Sequence, residues 1–317
     1  MKKINFVTSL GLVLAIGSSI TGCGGSGTST ESTTSFPSNA VIAEPTLENG
    51  QKVEEAVANN PSYIGLNSVQ DSSGGFNIGL IGTKLINKIK LDNYSLNEAI
   101  NETESCLYGG SINFSGSGSE QSGATLTVTY DNCNDDETGS VSGKVYYTLS
   151  DYDFNGDMFK NQQIKYLTDV TITLSSNDNK IIKILKGATA NYQIKKFDEY
   201  GNLKEYDEDI SAIITDGTKT YGNKNCKYTY NVLSWYQTSW YQTSGDIYID
   251  NLSSYVTYDT SYDMSQTPFV LDAFQGLISG EARFKMSGDG KVKIVIESNE
   301  PKTYVDANGD GIYELSE

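Results

Sequence analysis

The feature that most constrains this chain is an alternation of period two that sets in after Cys106 and continues to the C-terminus. Ile112 and Phe114 alternate, then Leu126, Val128 and Tyr130, then Val141, Val145 and Tyr147. The signal returns in Val170, Ile172 and Leu174, in Ile182 and Ile184, in Tyr228 and Tyr230, in Ile247 and Ile249, and in Val292, Ile294 and Ile296. Successive side chains of a strand point to opposite faces, so such a chain buries one face of a sheet. Turn residues separate the runs, as at Asp198-Glu199-Tyr200-Gly201-Asn202, Thr215-Asp216-Gly217 and Ser287-Gly288-Asp289-Gly290. Hairpin spacing with no long crossover helix predicts an antiparallel meander.

Upstream the period lengthens. Thr46 can cap a helix through about Asn59, with Val53, Ala56 and Val57 on one face and Asn59-Asn60-Pro61 stopping it. Ile78, Ile81, Leu85, Ile86 and Ile89 recur at spacings of three and four, which predicts a second helix, and Leu96–Ile100 offers a further turn. A helical part over about 45–104 and strands over about 108–317 predict one α+β, mostly β domain. Its N-terminal helices would pack on a large twisted antiparallel sheet. A closed or partly closed β-barrel is the alternative, because closure also removes exposed strand edges.

The N-terminus carries an address. Lys2 and Lys3 precede an apolar stretch, Ile4 to Ile20, interrupted by Thr8, Ser9, Gly11 and Gly17. It is too short and too broken for a spanning helix and reads as a signal peptide. It ends in Ile20-Thr21-Gly22-Cys23, which resembles the lipobox of bacterial lipoproteins. The resemblance implies removal of residues 1–22, acylation of Cys23, and anchoring in the bacterial cell envelope by that lipid. In enterobacterial members, a residue other than Asp after the cysteine, here Gly24, goes with the outer membrane. Residues 23–44, rich in Gly, Ser and Thr, then read as a flexible tether.

Charge and composition exclude several functions. The chain holds 40 acidic and 23 basic residues, a net charge of -17, whereas a nucleic-acid binder needs a basic face. It contains no histidine, which removes Ser-His-Asp and Cys-His nucleophiles and histidine metal ligands. G-x-S-x-G, G-x-x-x-x-G-K-[ST] and G-x-G-x-x-G are absent, and no spacing singles out a carboxylate pair. No catalytic residue can therefore be named.

Behind Cys23 three cysteines remain: Cys106, Cys133 and Cys226. Pairing Ile112 with Val128 and Phe114 with Leu126 keeps a constant index sum and places Cys106 and Cys133 just past the strand ends. An exported chain permits a disulfide there, leaving Cys226 as a free or intermolecular thiol.

Two further segments stand out. Ser234-Trp235-Tyr236-Gln237-Thr238 is repeated at once as Ser239-Trp240-Tyr241-Gln242-Thr243. Trp235, Tyr236, Trp240 and Tyr241 form either an aromatic binding surface or a half-packed hairpin arm. The C-terminal run from Asp306 to Glu317 resembles the calcium loop of EF-hand and dockerin-type modules. That resemblance implies Ca2+ held by Asp306, Asn308, Asp310 and Glu317, by the Ile312 carbonyl, and by Glu314 directly or through water. The flanks depart from the pattern, since Thr303-Tyr304-Val305 reads as a strand. Asp151, Asp153, Asn155 and Asp157 repeat the first half of the spacing, but Gln162 at position twelve makes that run an acidic turn. The whole reads as a non-enzymatic envelope lipoprotein with a structural calcium site, presenting a surface to an envelope protein or glycan. A polysaccharide-binding or -hydrolysing module and a periplasmic carrier of an apolar ligand are the alternatives.

Overall fold

The computed structural model describes residues 34–58, 99–119, 121–134, 139–154, 158–174, 180–201, 203–234, 237–272 and 276–315. The fold is mostly β, with one α-helix among the described residues, α1 (Leu47–Ala58). Before it comes β1 (Val41–Ile42). After it come β2 (Ala99–Ser105), β3 (Ser111–Ser119), β4 (Gly123–Cys133) and β5 (Gly139–Asp153). Next are β6 (Met158–Tyr166), β7 (Val170–Leu174), β8 (Lys180–Ile184), β9 (Thr189–Phe197), β10 (Leu203–Thr215), β11 (Thr220–Val232) and β12 (Gln237–Ile249). The chain finishes with β13 (Ser254–Tyr258), β14 (Phe269–Asp272), β15 (Gly276–Lys285), β16 (Lys291–Glu297), β17 (Glu300–Asp306) and β18 (Glu314–Leu315).

The strands pair as a meander in one sheet. β2 to β5 follow one another antiparallel, and β5 then pairs with β6 over one half of its length and β7 over the other. β10 likewise pairs with both β9 and β8, and β12 with both β13 and β14. Each such pair is one long strand interrupted. β15 to β18 complete the order. β1 adds a parallel pairing to β13, which makes the sheet mixed. No pairing register joins β2 to β18 among the described residues.

Alternation drives the packing. On β4, Ala124, Leu126, Val128 and Tyr130 are buried while the residues between them are half-buried. Tyr147, Tyr206, Tyr228, Tyr230, Phe114, Phe159, Phe269 and Phe284 are the largest fully buried side chains. Thr46 caps α1 by accepting the Asn49 amide at 3.2 Å. The helix buries Val53, Ala56 and Val57 against β12, β16 and β17. It approaches closely at Gly50, where a β-carbon would sit 2.8 Å from the Thr303 methyl and 3.0 Å from Val305.

Three expectations need correction. The β3–β4 register pairs Ile112 with Tyr130 and Phe114 with Val128, two residues from the predicted one. A two-residue slip keeps every side chain on its own face, so apolar patterning could not distinguish the two. Second, the antiparallel meander begins at Ala99 rather than about 108: Ile100 lies in β2, not in a helical turn. Ile100 is that strand's single buried residue, so no period betrays it. Third, residues 34–44 are laid on the domain instead of forming a tether. The Thr34 amide donates to Gly187 O at 3.0 Å, and the Phe36 ring lies 4.7 Å from that of Tyr248. β1 follows, and Ala43 O accepts from the Ser287 amide at 2.9 Å. The Phe36 ring, the β1–β13 ladder and the buried Ala43 hold this segment down despite its surrounding small residues. The predicted helix at 78–89, the signal peptide and Cys23 lie outside the described residues.

Candidate metal centre and a buried polar row

The C-terminal loop leaves β17 at Asp306, which is 1% exposed, and returns as β18, with Val305 opposite Glu314. Asp306 therefore anchors the loop from within the sheet. Its Oδ1 accepts the Gly309 amide at 2.8 Å and its Oδ2 the Gly311 amide at 3.0 Å. Asn308 Oδ1 accepts from the Asp310 amide at 3.0 Å, and Asp310 Oδ1 from the Ile312 amide at 2.8 Å. Asn308 Nδ2 also donates to Asp310 Oδ2 at 3.0 Å, which brings those two side chains together. The backbone turns at Gly309 and Gly311, with φ of 77° and 86°, where other residues would be strained. Ile312 and Glu314 are exposed, and Glu317 lies outside the described residues. Among the described residues no three His, Cys, Asp or Glu side chains converge as a metal site. The donors on offer are all oxygens, the type calcium takes.

The second acidic run is described only at its two ends. Asp153 in β5 pairs with Lys160 at 2.6 Å, and Gln162 faces inward from β6, 1% exposed. Asn155–Asp157 lie outside the described residues.

The aromatic surface is not at Trp240. That residue is 3% exposed, 4.5 Å from the Phe269 ring and 5.7 Å from Tyr228. It stands opposite Tyr230 on one neighbour and Phe269 on the other, which makes it part of the core. Tyr241 is partly buried against that core, and Trp235 and Tyr236 lie outside the described residues.

Cys106 and Cys133 are bonded, with Cα atoms 5.4 Å apart. The bridge ties the β2–β3 turn to the bulged end of β4. By restricting the unfolded chain it contributes about 3 kcal/mol. Cys226 is buried and free, so pairing with a second chain would require it to leave the core. Burial pushes its thiol up to about 12.

Sequence reading missed a polar row that crosses the buried face. The register places Gln162 opposite Tyr192, Tyr192 opposite Glu208, Glu208 opposite Tyr228 and Tyr228 opposite Gln242. All five are buried. Tyr230 donates to Glu208 Oε2 at 2.9 Å, and its ring stacks on Tyr206 with centroids 4.5 Å apart. Burial holds the Tyr192 and Tyr206 hydroxyls well above their ordinary range, aided by the Glu208 charge. They are neutral donors, not nucleophiles. The available signal was polar residues in the inward phase: Glu208 falls in step with Tyr206 and Ile210, and Gln162 with Ile164 and Tyr166.

The buried carboxylates have separate partners. Glu208 meets Tyr230, Asp272 meets Gln237 at 2.9 Å, Asp259 meets Lys291 at 2.9 Å, and Asp306 meets its own loop. Comparison of the chain with protein families, curated proteins and solved structures finds no match.

Proposed function

We propose that the protein is a lipid-anchored bacterial envelope protein whose β-rich domain presents a surface, with a calcium ion stabilising its C-terminal loop. The observation that carries the calcium part is Asp306, a buried carboxylate whose two oxygens are aimed by amides of its own loop. Asp306, Asn308 and Asp310 would hold the ion through side-chain oxygens and Ile312 through its carbonyl, with Glu314 and Glu317 completing the set. The ion cancels repulsion among these carboxylates and ties the chain end to β17. The anchoring part rests on the sequence from Lys2 to Cys23.

Binding at about 100 times the dissociation constant adds about 2.7 kcal/mol, so calcium should raise the melting temperature by several degrees over chelator. Magnesium should do less. Asp310→Ala, at an exposed position, should abolish the rise while leaving the chelated protein nearly unchanged. Equal melting with and without calcium would show the loop to be a plain turn. For the anchor, Cys23→Ser should release the protein from the membrane fraction or leave it uncleaved. Unchanged membrane partition of a correctly cleaved variant would refute the lipid attachment.

A further inference from the structure

The outer face of β15, β16 and β17 gathers cations at its centre, with Glu281, Glu297 and Glu300 toward one end of the strands. Ala282, Phe284, Val292 and Ile294 point inward, which leaves Arg283, Lys285, Lys291, Lys293 and Tyr304 on the other face. The register sets Lys285 directly opposite Lys291 and Arg283 directly opposite Lys293, with Tyr304 beyond. Like charges facing each other across a ladder are destabilising. In a chain of net charge -17, two such pairs side by side call for a reason.

The first pair has one inside the molecule: Asp259 lies 2.9 Å from Lys291 and 3.6 Å from Lys285. The second is built differently. Arg283, the only arginine of the chain, donates through Nε to Glu281 at 2.6 Å. Its terminal amino groups make no hydrogen bond among the described residues. The guanidinium lies over the Tyr262 ring at 4.1 Å and 5.7 Å from the Tyr313 ring. Lys293 Nζ lies 4.4 Å from the Tyr304 ring and 5.0 Å from the Tyr313 ring, and makes no ion pair among the described residues. Two cationic heads and three tyrosine rings thus share one half-exposed patch.

Each element has a matching ligand chemistry. A guanidinium fork takes a carboxylate in two parallel hydrogen bonds, and the lysine adds a point charge. Tyrosine rings offer flat faces with polar tips, which suit pyranose rings. The patch lies on the face of a sheet, not along an edge strand where an extended peptide would add. We propose that the Tyr262, Arg283, Lys293, Tyr304 and Tyr313 patch binds an acidic polysaccharide, a uronate carboxylate lying at Arg283 and Lys293 and sugar rings lying on the tyrosines. This rests on reading the domain as a presenting surface, but not on its calcium. Tyr313 occupies the eighth position of the C-terminal loop, so calcium there would steady one wall of the patch.

The test is native affinity electrophoresis of the full mature lipoprotein in neutral detergent, through gels containing polygalacturonate, neutral dextran or polyglutamate, in chelator. Polygalacturonate should retard the protein, dextran should not, and polyglutamate should do so far more weakly. Lys293→Gln and Arg283→Gln should each weaken retardation about tenfold, as expected for one charge-assisted contact. Lys293→Gln is the safer variant for folding, because Arg283 also holds Glu281. Absence of retardation by polygalacturonate, equal retardation by polyglutamate, or unaltered retardation of a folded Lys293→Gln protein would each overturn the proposal. The calcium-dependent melting rise is read without polymer, so either result can fail while the other stands.

Discussion

Glu208 in the middle of the sheet and Asp259 beside its C-terminal strands are both almost fully buried, 2% and 1% exposed. They are held by different means. Around Glu208 the neighbours in register are tyrosines, and Tyr230 donates a neutral hydroxyl. Asp259 takes the Ser261 amide at 3.1 Å and hydroxyl at 2.7 Å, and two lysines stand against it. Those lysine side chains are 47% and 33% exposed, so their ammonium groups keep part of their water. β10 is flanked by strands on both sides, and a lysine facing inward there would have to give up its solvent. The difference teaches that distance from solvent, not burial of the carboxylate itself, selects between an ion pair and a neutral hydrogen bond.

Asp259→Asn should produce the larger effect. Burial opposes the Asp259 charge, but hydrogen bonds from Ser261 and Lys291 outweigh it and hold the carboxyl down to about 2, against an ordinary 3.8. A carboxyl lowered on folding stabilises fully above its unfolded value and loses that contribution as pH falls through its folded value. The variant should lose about 2 kcal/mol near pH 7, and its urea-unfolding stability should converge with that of the unaltered protein as pH drops from about 4 to 2. Equal stability at pH 7 would break the contrast with Glu208 by showing that the lysines contribute nothing.

Tyr230→Phe should cost less, about 1 kcal/mol, because it removes one donor from a carboxylate with other neighbours. Salt sharpens the contrast. In 1 M sodium chloride the Asp259→Asn loss should shrink, since its lysines are partly exposed, whereas the Tyr230→Phe loss should not change. A salt-sensitive Tyr230→Phe effect would mean that charge reaches the centre of the sheet after all.

What was legible follows from the range of each interaction. The alternation located β3, β4, β7, β8 and β16 because it depends only on side chains two positions apart. The Cys106–Cys133 bridge could be read although the register was two residues off, because both registers bring the two strand ends together. Trp240 could not be placed from its repeat, since its burial is decided by Tyr230 and Phe269 on neighbouring strands. The row from Gln162 to Gln242 needs five strands to assemble, and only the inward phase of Glu208 and Gln162 hinted at it. For the C-terminal loop, the spacing announced the turn and its glycines, and the strand-like entry was equally plain. That Asp306 is buried depended on Lys291 across the β16–β17 ladder and on the loop folding back over its carboxylate.

The arm from Thr34 to Pro45 fixes where any pull on the domain is applied. With the anchor proposed at Cys23, a pull enters the arm at Thr34 rather than at Pro45. Tension along it loads the Thr34–Gly187 contact first, then the Phe36 ring on Tyr248, and then the parallel β1–β13 ladder. These attachments lie one after another along the arm, so it would peel from the domain in stages while the meander behind it stayed intact.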